Sequence, residues 1–176
     1  MKKIIAFAGS NSSTSINQKL VTYASTVVEG AEVKQIKLTD FPLPIFSEDL
    51  EKDSGYPEEL AALHAEIKSH DALIISVNEH NGGISAFFKN TMDWLSRIEY
   101  KFLEGKKILC LSASPGGRGG LTALEYTKGV LPRYGGEVVA SMPFPSFSQN
   151  FSEGKISNTE LDQELKSAVN TLLESI

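Results

Sequence analysis

The chain has 176 residues, of which 41% are hydrophobic and 22% are charged, and its formal net charge at pH 7 is -5. This length suits one domain, residues 1–176, with a core that needs neither disulfides nor a metal. A single cysteine excludes a disulfide framework, no set of residues has the spacing of a four-ligand metal site, and 22 acidic residues against 17 basic ones argue against a nucleic-acid partner.

The amino terminus imitates the start of a signal peptide, with two lysines before an apolar run. That run ends at a polar loop after about five residues, whereas the apolar region of a signal peptide needs roughly seven to fifteen. No later stretch approaches the roughly 18 consecutive apolar residues of a membrane span. We therefore expect a cytoplasmic protein without a membrane partner, and a buried first strand within residues 3–8.

Short apolar runs alternate with amphipathic segments along the whole chain. In chain order, the pattern predicts a strand at 4–8, a helix at 16–29, a strand at 33–38, a helix from Pro57, a strand at 72–77, a helix at 84–98, a strand at 108–113, a helix at 120–133, a strand at 138–142 and a helix from 159 to the end. Strict alternation indicates parallel strands with right-handed crossovers, buried on both faces. The expected fold class is α/β, a three-layer sandwich with helices on both faces of a five-stranded parallel sheet.

In open α/β sheets, ligands bind beyond the carboxyl ends of the strands, so the loops that follow the strands hold the candidate site. The first loop carries hydroxyl and amide side chains into a helix N-terminus, where free N–H groups and the helix dipole attract an anion. Its candidate residues are Gly9, Ser10, Ser12, Ser15, Ile16 and Asn17. Its position after the first strand favours a phosphate site over an ordinary polar turn, although the Walker A and Gly-x-Gly-x-x-Gly motifs are absent.

Two further loops follow the third and fourth strands. The earlier one offers amides and glycines that suit the edge of a planar heterocycle, at Asn78, Glu79, His80, Asn81 and Gly82. A histidine without a nearby paired carboxylate or cysteine favours hydrogen bonding or stacking over proton transfer. The later loop has four glycines in five positions, which favours close approach to a ligand over a flexible connection. Its candidate residues are Ser114, Gly116, Gly117 and Arg118.

These loops resemble those of the NAD(P)H-dependent FMN reductases of flavodoxin-like fold, a family that includes quinone, azo-dye and chromate reductases. The family's first loop reads Gly-Ser-x-Arg-x-x-Ser-x-Asn, and it is matched at Gly9, Ser10, Ser15 and Asn17. The second family signature is matched at Glu79, Asn81, Gly82, Lys89, Asn90, Asp93 and Trp94. The chain departs from the family at Ser12 in place of arginine, Asn78 in place of proline and His80 in place of tyrosine.

The resemblance implies a sheet order of 2-1-3-4-5, FMN as cofactor and NADPH or NADH as co-substrate. The first loop would hold the phosphate, residues 79–82 would line the isoalloxazine, and the region of Gly116 would cover its other edge. The flavin would carry hydride from the nicotinamide to a quinone, azo, nitro or metal-oxyanion acceptor in a ping-pong cycle, without a catalytic side chain. Ser12 weakens a preference for NADPH, for which Arg118 is a candidate replacement, and the altered second loop predicts lowered FMN affinity.

Two alternatives share the fold and the cofactor: a flavodoxin-type electron carrier and a non-catalytic flavin-binding protein. The mild net charge and the Lys89-Asn90…Asp93-Trp94 signature favour a reductase. Relatives commonly form dimers, so we expect a homodimer or homotetramer. The apolar residues near the site either form that interface or pack in the core; they are Leu43, Ile45, Phe46, Phe87, Phe88, Trp94 and Leu95. Cys110 is expected to be a buried hydrophobe. Phe144, Phe147 and Phe151, after the fifth strand, either cap the site or seal the core, and we favour the core.

Overall fold

The computed structural model describes all residues from 1 to 176, and its elements follow the predicted alternation. They are β1 (Lys2–Ala8), α1 (Ile16–Thr26), β2 (Ala31–Gln35), a 3₁₀ turn (Leu38–Asp40), α2 (Glu48–Ser54), α3 (Glu58–Lys68), β3 (Ala72–Val77), β4 (Glu79–His80), β5 (Gly83–Ile84), α4 (Ala86–Ile98), β6 (Lys107–Ala113), α5 (Leu121–Val130), a second 3₁₀ turn (Leu131–Tyr134), β7 (Glu137–Phe144), α6 (Phe147–Asn150), β8 (Phe151–Ser152), β9 (Lys155–Ile156) and α7 (Thr159–Glu174).

The central sheet has five parallel strands in the order β2-β1-β3-β6-β7. This order confirms the predicted 2-1-3-4-5 arrangement, with the fourth and fifth predicted strands realised as β6 and β7. It puts β3 between β1 and β6, so the segments after these three strands leave the sheet side by side. None of the seven α-helices is long and apolar enough to cross a membrane.

The core lies in two layers because successive strand residues point to opposite faces of the sheet. One layer joins Ile5 and Phe7 to α3 and α4, and the other joins Ile4 and Ala6 to α1 and α7. Both sets of β1 residues are buried, and β3 and β6 are buried in the same way, which explains why these three strands are largely apolar along their length. The expected burial on both faces is wrong for β2, which lies at the edge of the sheet and is mostly exposed. Cys110 is fully buried in β6, and burial raises the pKa of its thiol to about 12.

Several predicted boundaries are wrong by a few residues. α1 ends at Thr26 and not at residue 29. β2 ends at Gln35 and not at residue 38, because the chain then enters the 3₁₀ turn that begins at Leu38. α4 begins at Ala86 and not at residue 84, because Gly83 and Ile84 pair with β4. The predicted helix from 120 to 133 is α5 followed by the second 3₁₀ turn.

Six of the seven apolar residues proposed for an interface lie in the core or pack against it. Phe88, Trp94 and Leu95 are at most 3% exposed. The partly buried members of the set pack against that core and are Leu43, Phe46 and Phe87. Ile45 alone is strongly exposed, at 76%. Core packing therefore accounts for nearly the whole set, and the oligomeric state stays a prediction.

The Asn90 and Trp94 side chains have a structural role that their place in the family signature did not reveal. Trp94 Nε1 donates to the carbonyl oxygen of Pro44 at 2.7 Å, and Asn90 Nδ2 donates to the same oxygen at 2.9 Å. The backbone N–H of Phe46 donates to Asn90 Oδ1 at 2.8 Å. Together these bonds hold the long connection between β2 and α2 against α4.

Candidate active site

The backbone of Gly9, at the start of the first candidate loop, is hydrogen-bonded to the end of β3 and to the start of α4. The N–H of Gly9 donates to the carbonyl oxygen of Ser76 at 2.9 Å, and Ser85 Oγ, which caps α4, donates to the carbonyl oxygen of Gly9 at 2.8 Å. A Cβ atom at Gly9 would lie 2.8 Å from the ring of Phe88. Gly9 is thus needed for the close packing of this loop on α4, whether or not it meets a ligand.

Asn17 fastens the start of α1 to two strands. Its Oδ1 accepts from Ser76 Oγ at 2.7 Å and from the N–H of Ala113 at 2.9 Å, while its Nδ2 donates to the carbonyl oxygen of Ala113 at 3.2 Å. The side chain is only 2% exposed. Asn17, predicted as a cofactor contact, therefore has a structural role that fixes the first loop relative to the ends of β3 and β6.

The rest of the first loop presents a dense set of hydroxyl groups. Ser15 Oγ accepts from the N–H of Gln18 at 3.2 Å, as the Ser15–Gln18 spacing predicts for a helix cap. Ser12 Oγ lies 3.3 Å from Thr14 Oγ1, and both side chains are exposed. The first turn of α1 contains no acidic residue, so the positive end of its dipole is not neutralised locally.

A cleft of about 970 Å³ opens beside this loop. One wall is the first loop, including Ser10, Ser12, Ser15 and Ile16; a second is the segment Lys37–Asp40 after β2; and a third is the segment from Phe147 to Gly154 after β7. The last segment folds back over α1, where the ring of Phe151 meets the edge of Tyr23 at 6.2 Å between centroids.

Four charged side chains line the cleft, and sequence reasoning missed all of them. They are Lys19, Lys37, Asp40 and Glu153. Neither lysine forms an ion pair or a side-chain hydrogen bond within the protein. The cleft therefore offers two unpaired cations beside the hydroxyl groups. Lys37 could have been predicted, because it follows the carboxyl end of β2, and ligands bind beyond the carboxyl ends of the strands in such sheets.

The second candidate loop is a tight β-hairpin. Glu79 and His80 pair with Ile84 and Gly83 across a two-residue turn, in which Asn81 has φ 51° and Gly82 has φ 75°. An Asn-Gly pair with two positive φ angles is the preferred chemistry of such a turn. The Glu79 carboxylate accepts from the N–H of Ala123 at 3.1 Å, in the first turn of α5. Glu79 thus links the hairpin to α5 and complements its dipole.

Asn78 and His80 form a pair at the base of this hairpin. Asn78 Nδ2 lies 2.9 Å from His80 Nε2, Asn78 is 8% exposed, and His80 is exposed. The Oδ1 atom of Asn78 is buried and receives no hydrogen bond; no other buried side-chain nitrogen or oxygen of the chain lacks a partner.

Two glycines of the third candidate loop are required by backbone conformation and packing. Gly119 and Gly120 have φ 62° and 77°, and a Cβ atom at Gly119 would lie 2.8 Å from the backbone of Phe144. Gly116 and Gly117 are exposed and have no positive φ. Arg118 is exposed and donates to Thr122 Oγ1 at 3.3 Å, and it does not line the cleft. The cations that line the cleft are therefore Lys19 and Lys37.

The predicted site residues fall into three groups. Ser10, Ser12, Ser15 and Ile16 line the cleft, whereas Gly9 and Asn17 support it from behind. The remaining candidates lie at the adjacent ends of β3 and β6, outside the cleft lining; they are Asn78, Glu79, His80, Asn81, Gly82, Ser114, Gly116, Gly117 and Arg118. Phe144 and Phe147 are buried in the core as expected, although Phe147 and Phe151 also line the cleft.

This loop arrangement matches a known family over most of the chain. The model of the NADPH-dependent FMN reductases matches residues 2–150. The chain belongs to this family. It is 37% identical over 122 residues to an uncharacterized protein of Mycoplasma pneumoniae, with 65% of this chain and 70% of that protein aligned. It is 26% identical over 124 residues to a quinone reductase of Escherichia coli, with 65% of this chain and 66% of that enzyme aligned.

Solved structures of flavoenzymes share the fold. The chain superposes on FerB, a flavoenzyme NAD(P)H:(acceptor) oxidoreductase from Paracoccus denitrificans, with a TM-score of 0.80 and 24% identity, over 99% of this chain and 96% of that one. At this identity the likeness establishes the fold. Family membership implies FMN as the cofactor and a reduced nicotinamide nucleotide as the electron donor.

The residues of the site suit FMN. Hydroxyl groups and the first turn of α1 offer hydrogen-bond donors to a phosphate, and Lys19 and Lys37 supply positive charge on the same cleft. Asp40 and Glu153 balance that charge, so the donors of the first loop matter more than the net charge of the cleft. The unpaired Oδ1 of Asn78 lies at the next strand end, where a heterocycle with N–H groups could satisfy it.

Proposed function

We propose that the protein is an FMN-dependent oxidoreductase that takes electrons from NADH or NADPH and passes them to a quinone or another small acceptor, such as an azo, nitro or metal-oxyanion compound. The observation that carries the proposal is the hydroxyl-lined cleft at the start of α1, which Asn17 fixes against the ends of β3 and β6. A quinone would leave as the hydroquinone after receiving two electrons and two protons. We also propose a cytoplasmic enzyme whose residues 1–176 act as one domain, in a homodimer or homotetramer.

The phosphate would bind at the first loop. Ser10, Ser12 and Ser15 would hold it together with the N–H groups of the first turn of α1. Lys19 and Lys37 would take over the charge of the arginine that Ser12 replaces. Arg118 is not needed for this role, because its guanidinium bonds Thr122 on α5.

The isoalloxazine would lie over the ends of β3 and β6, between the β4–β5 hairpin and the third loop. When bound, FMN supplies the redox chemistry, because no side chain of the protein is suited to two-electron transfer. Cys110 is excluded from a redox role by its burial and raised pKa. The hairpin residues and residues 114–118 would orient the cofactor and leave space for nicotinamide and acceptor to bind in turn.

Anaerobic reduction of the FMN-loaded protein tests this function. NADH and NADPH are titrated separately while the flavin absorbance near 450 nm is followed, and a quinone is then added. The proposal expects bleaching by at least one nucleotide and full recovery of the absorbance with the quinone. Binding of FMN without bleaching would identify an electron carrier or a non-catalytic flavin protein instead.

Lysine variants test the position of the phosphate. We expect Lys37→Ala and Lys19→Ala each to weaken FMN binding by about three- to tenfold at low salt, and less at high salt, because a charge-assisted contact is lost. Riboflavin, which lacks the phosphate, should bind these variants as it binds the wild type. Lys52→Ala is the matched control, since Lys52 is exposed on α2, has no ion pair and lies outside the cleft lining. Equal FMN affinity of all three variants would place the phosphate elsewhere.

A further inference from the structure

Asn78 presents a polar atom that the fold itself does not use. It follows the last residue of β3, where the resembling family has proline, and it is 8% exposed. Its Nδ2 donates to His80 Nε2 at 2.9 Å, but its Oδ1 is buried without a donor. A buried carbonyl without a hydrogen bond is unfavourable, and nearly all such groups in folded proteins are paired.

Packing alone does not explain an asparagine at this position. An apolar side chain of similar size would fill the space without leaving an unpaired oxygen, and it would give up only the bond to the exposed imidazole of His80, which water can replace. The position is also distinctive, because β3 lies between β1 and β6 and the segments after all three strands meet there. An unpaired acceptor at this point indicates a ligand with a hydrogen-bond donor.

His80 determines which end of the amide is left free. In the observed contact Nδ2 is the donor, so His80 Nε2 carries its lone pair and the ring proton lies on Nδ1. With the ring proton on Nδ1, turning the amide over would place Oδ1 against that lone pair, which is repulsive; the turned amide would fit only the other tautomer, in which Nε2 carries the proton. His80 in this tautomer therefore holds Asn78 with its nitrogen toward the imidazole and its oxygen free to accept.

Resting on the function proposed above, we propose that Asn78 Oδ1 accepts a hydrogen bond from the N3–H of the bound isoalloxazine and that His80 is the positioning residue that orients the amide. N3–H is the one N–H group on the ring system of oxidised flavin. The pair would give this chain a side-chain amide acceptor for the cofactor at position 78, where the proline of the resembling family has no polar side-chain atom.

Equilibrium binding of oxidised FMN and of its N3-methyl analogue, followed by fluorescence quenching, tests the proposal without any turnover. We expect the wild type to bind FMN about 5- to 30-fold more tightly than N3-methyl FMN. Asn78→Leu should lose that preference and bind FMN as weakly as the wild type binds the analogue. A melting temperature of the cofactor-free variant at or above that of the wild type would show that the fold is intact.

His80 is tested by a pair of variants. His80→Phe keeps a flat ring but removes the acceptor for Asn78 Nδ2, and it should lower the preference for FMN over the analogue. His80→Gln restores an acceptor and should recover the preference, which a purely structural role for the ring would not produce.

The outcomes separate this inference from the proposed function. If the wild type binds neither FMN nor the analogue, the proposed function fails. If the wild type binds FMN tightly and Asn78→Leu binds it equally well, the function stands and the role of Asn78 is wrong. An unchanged preference in His80→Phe would overturn the positioning role of His80.

Discussion

Replacing Asn17 by alanine should destabilise the protein strongly, because this side chain joins the start of α1 to two strands. The substitution leaves Ser76 Oγ and the N–H of Ala113 without an acceptor, and the carbonyl oxygen of Ala113 without the donor Nδ2. All three groups lie at a buried joint, where each unpaired group costs about 1 kcal/mol or more. We therefore expect a loss of about 2–4 kcal/mol, which for a chain of this size lowers the melting temperature by roughly 5–15 °C.

Thermal unfolding of the cofactor-free variants, followed by circular dichroism, measures this effect. Ser76→Ala removes a single donor and leaves the bond between Asn17 and Ala113, so it should cost only about 0.5–1.5 kcal/mol. Asn11→Ala is the control, because Asn11 is exposed in the same loop and forms no side-chain hydrogen bond. A melting temperature of Asn17→Ala within about 2 °C of the wild type would refute the structural role of this amide.

Three further predictions concern residues outside the first loop. Cys110 should not react with a thiol reagent in the native protein at pH 8, because it is buried and its pKa is raised to about 12; rapid labelling before unfolding would contradict this. Gly119→Ala should lower the melting temperature by several degrees in thermal unfolding, because its Cβ would lie 2.8 Å from the backbone of Phe144 and its φ is 62°; an unchanged temperature would contradict this packing. The hydrogen bond to Asp162 raises the pKa of Tyr23 to about 12. In denaturant titrations, the stability of the wild type relative to Tyr23→Phe should therefore be constant below about pH 10 and fall as the pH rises toward 12. A stability difference that persists near pH 12 would contradict this hydrogen bond.

The sequence predicted the parts of the fold that depend on long, regular patterns. Continuous apolar runs identified four strands of the sheet, a half-alternating run identified β2, and the spacing of Ser15 and Gln18 identified the start of α1. The two-residue strands β4 and β5 were missed, because hydrophobic periodicity is not defined over so short a stretch. The Asn81-Gly82 pair was the available signal, since its turn chemistry alone specifies a hairpin.

The site was predictable where it is built from neighbouring strand ends and not where it is built from distant segments. The first loop was found because it follows β1 in an α/β sheet. The wall formed by residues 147–154 was only the less favoured alternative for Phe147 and Phe151, because nothing in the sequence shows that the chain after β7 folds back over α1. The glycines of the third loop were interpreted as ligand contacts, whereas position 119 requires glycine because a Cβ atom there would clash with the backbone of Phe144.

Titration of the purified, cofactor-free protein with FMN tests the central claim most directly. We predict saturable quenching of flavin fluorescence with one FMN per chain. Riboflavin should bind more weakly, because it lacks the phosphate that the first loop and the cleft lysines would bind. An absence of quenching at FMN concentrations up to hundreds of micromolar would contradict the assignment of a flavin site. Quenching of equal strength by riboflavin and FMN would contradict the assignment of the hydroxyl-lined cleft to the phosphate.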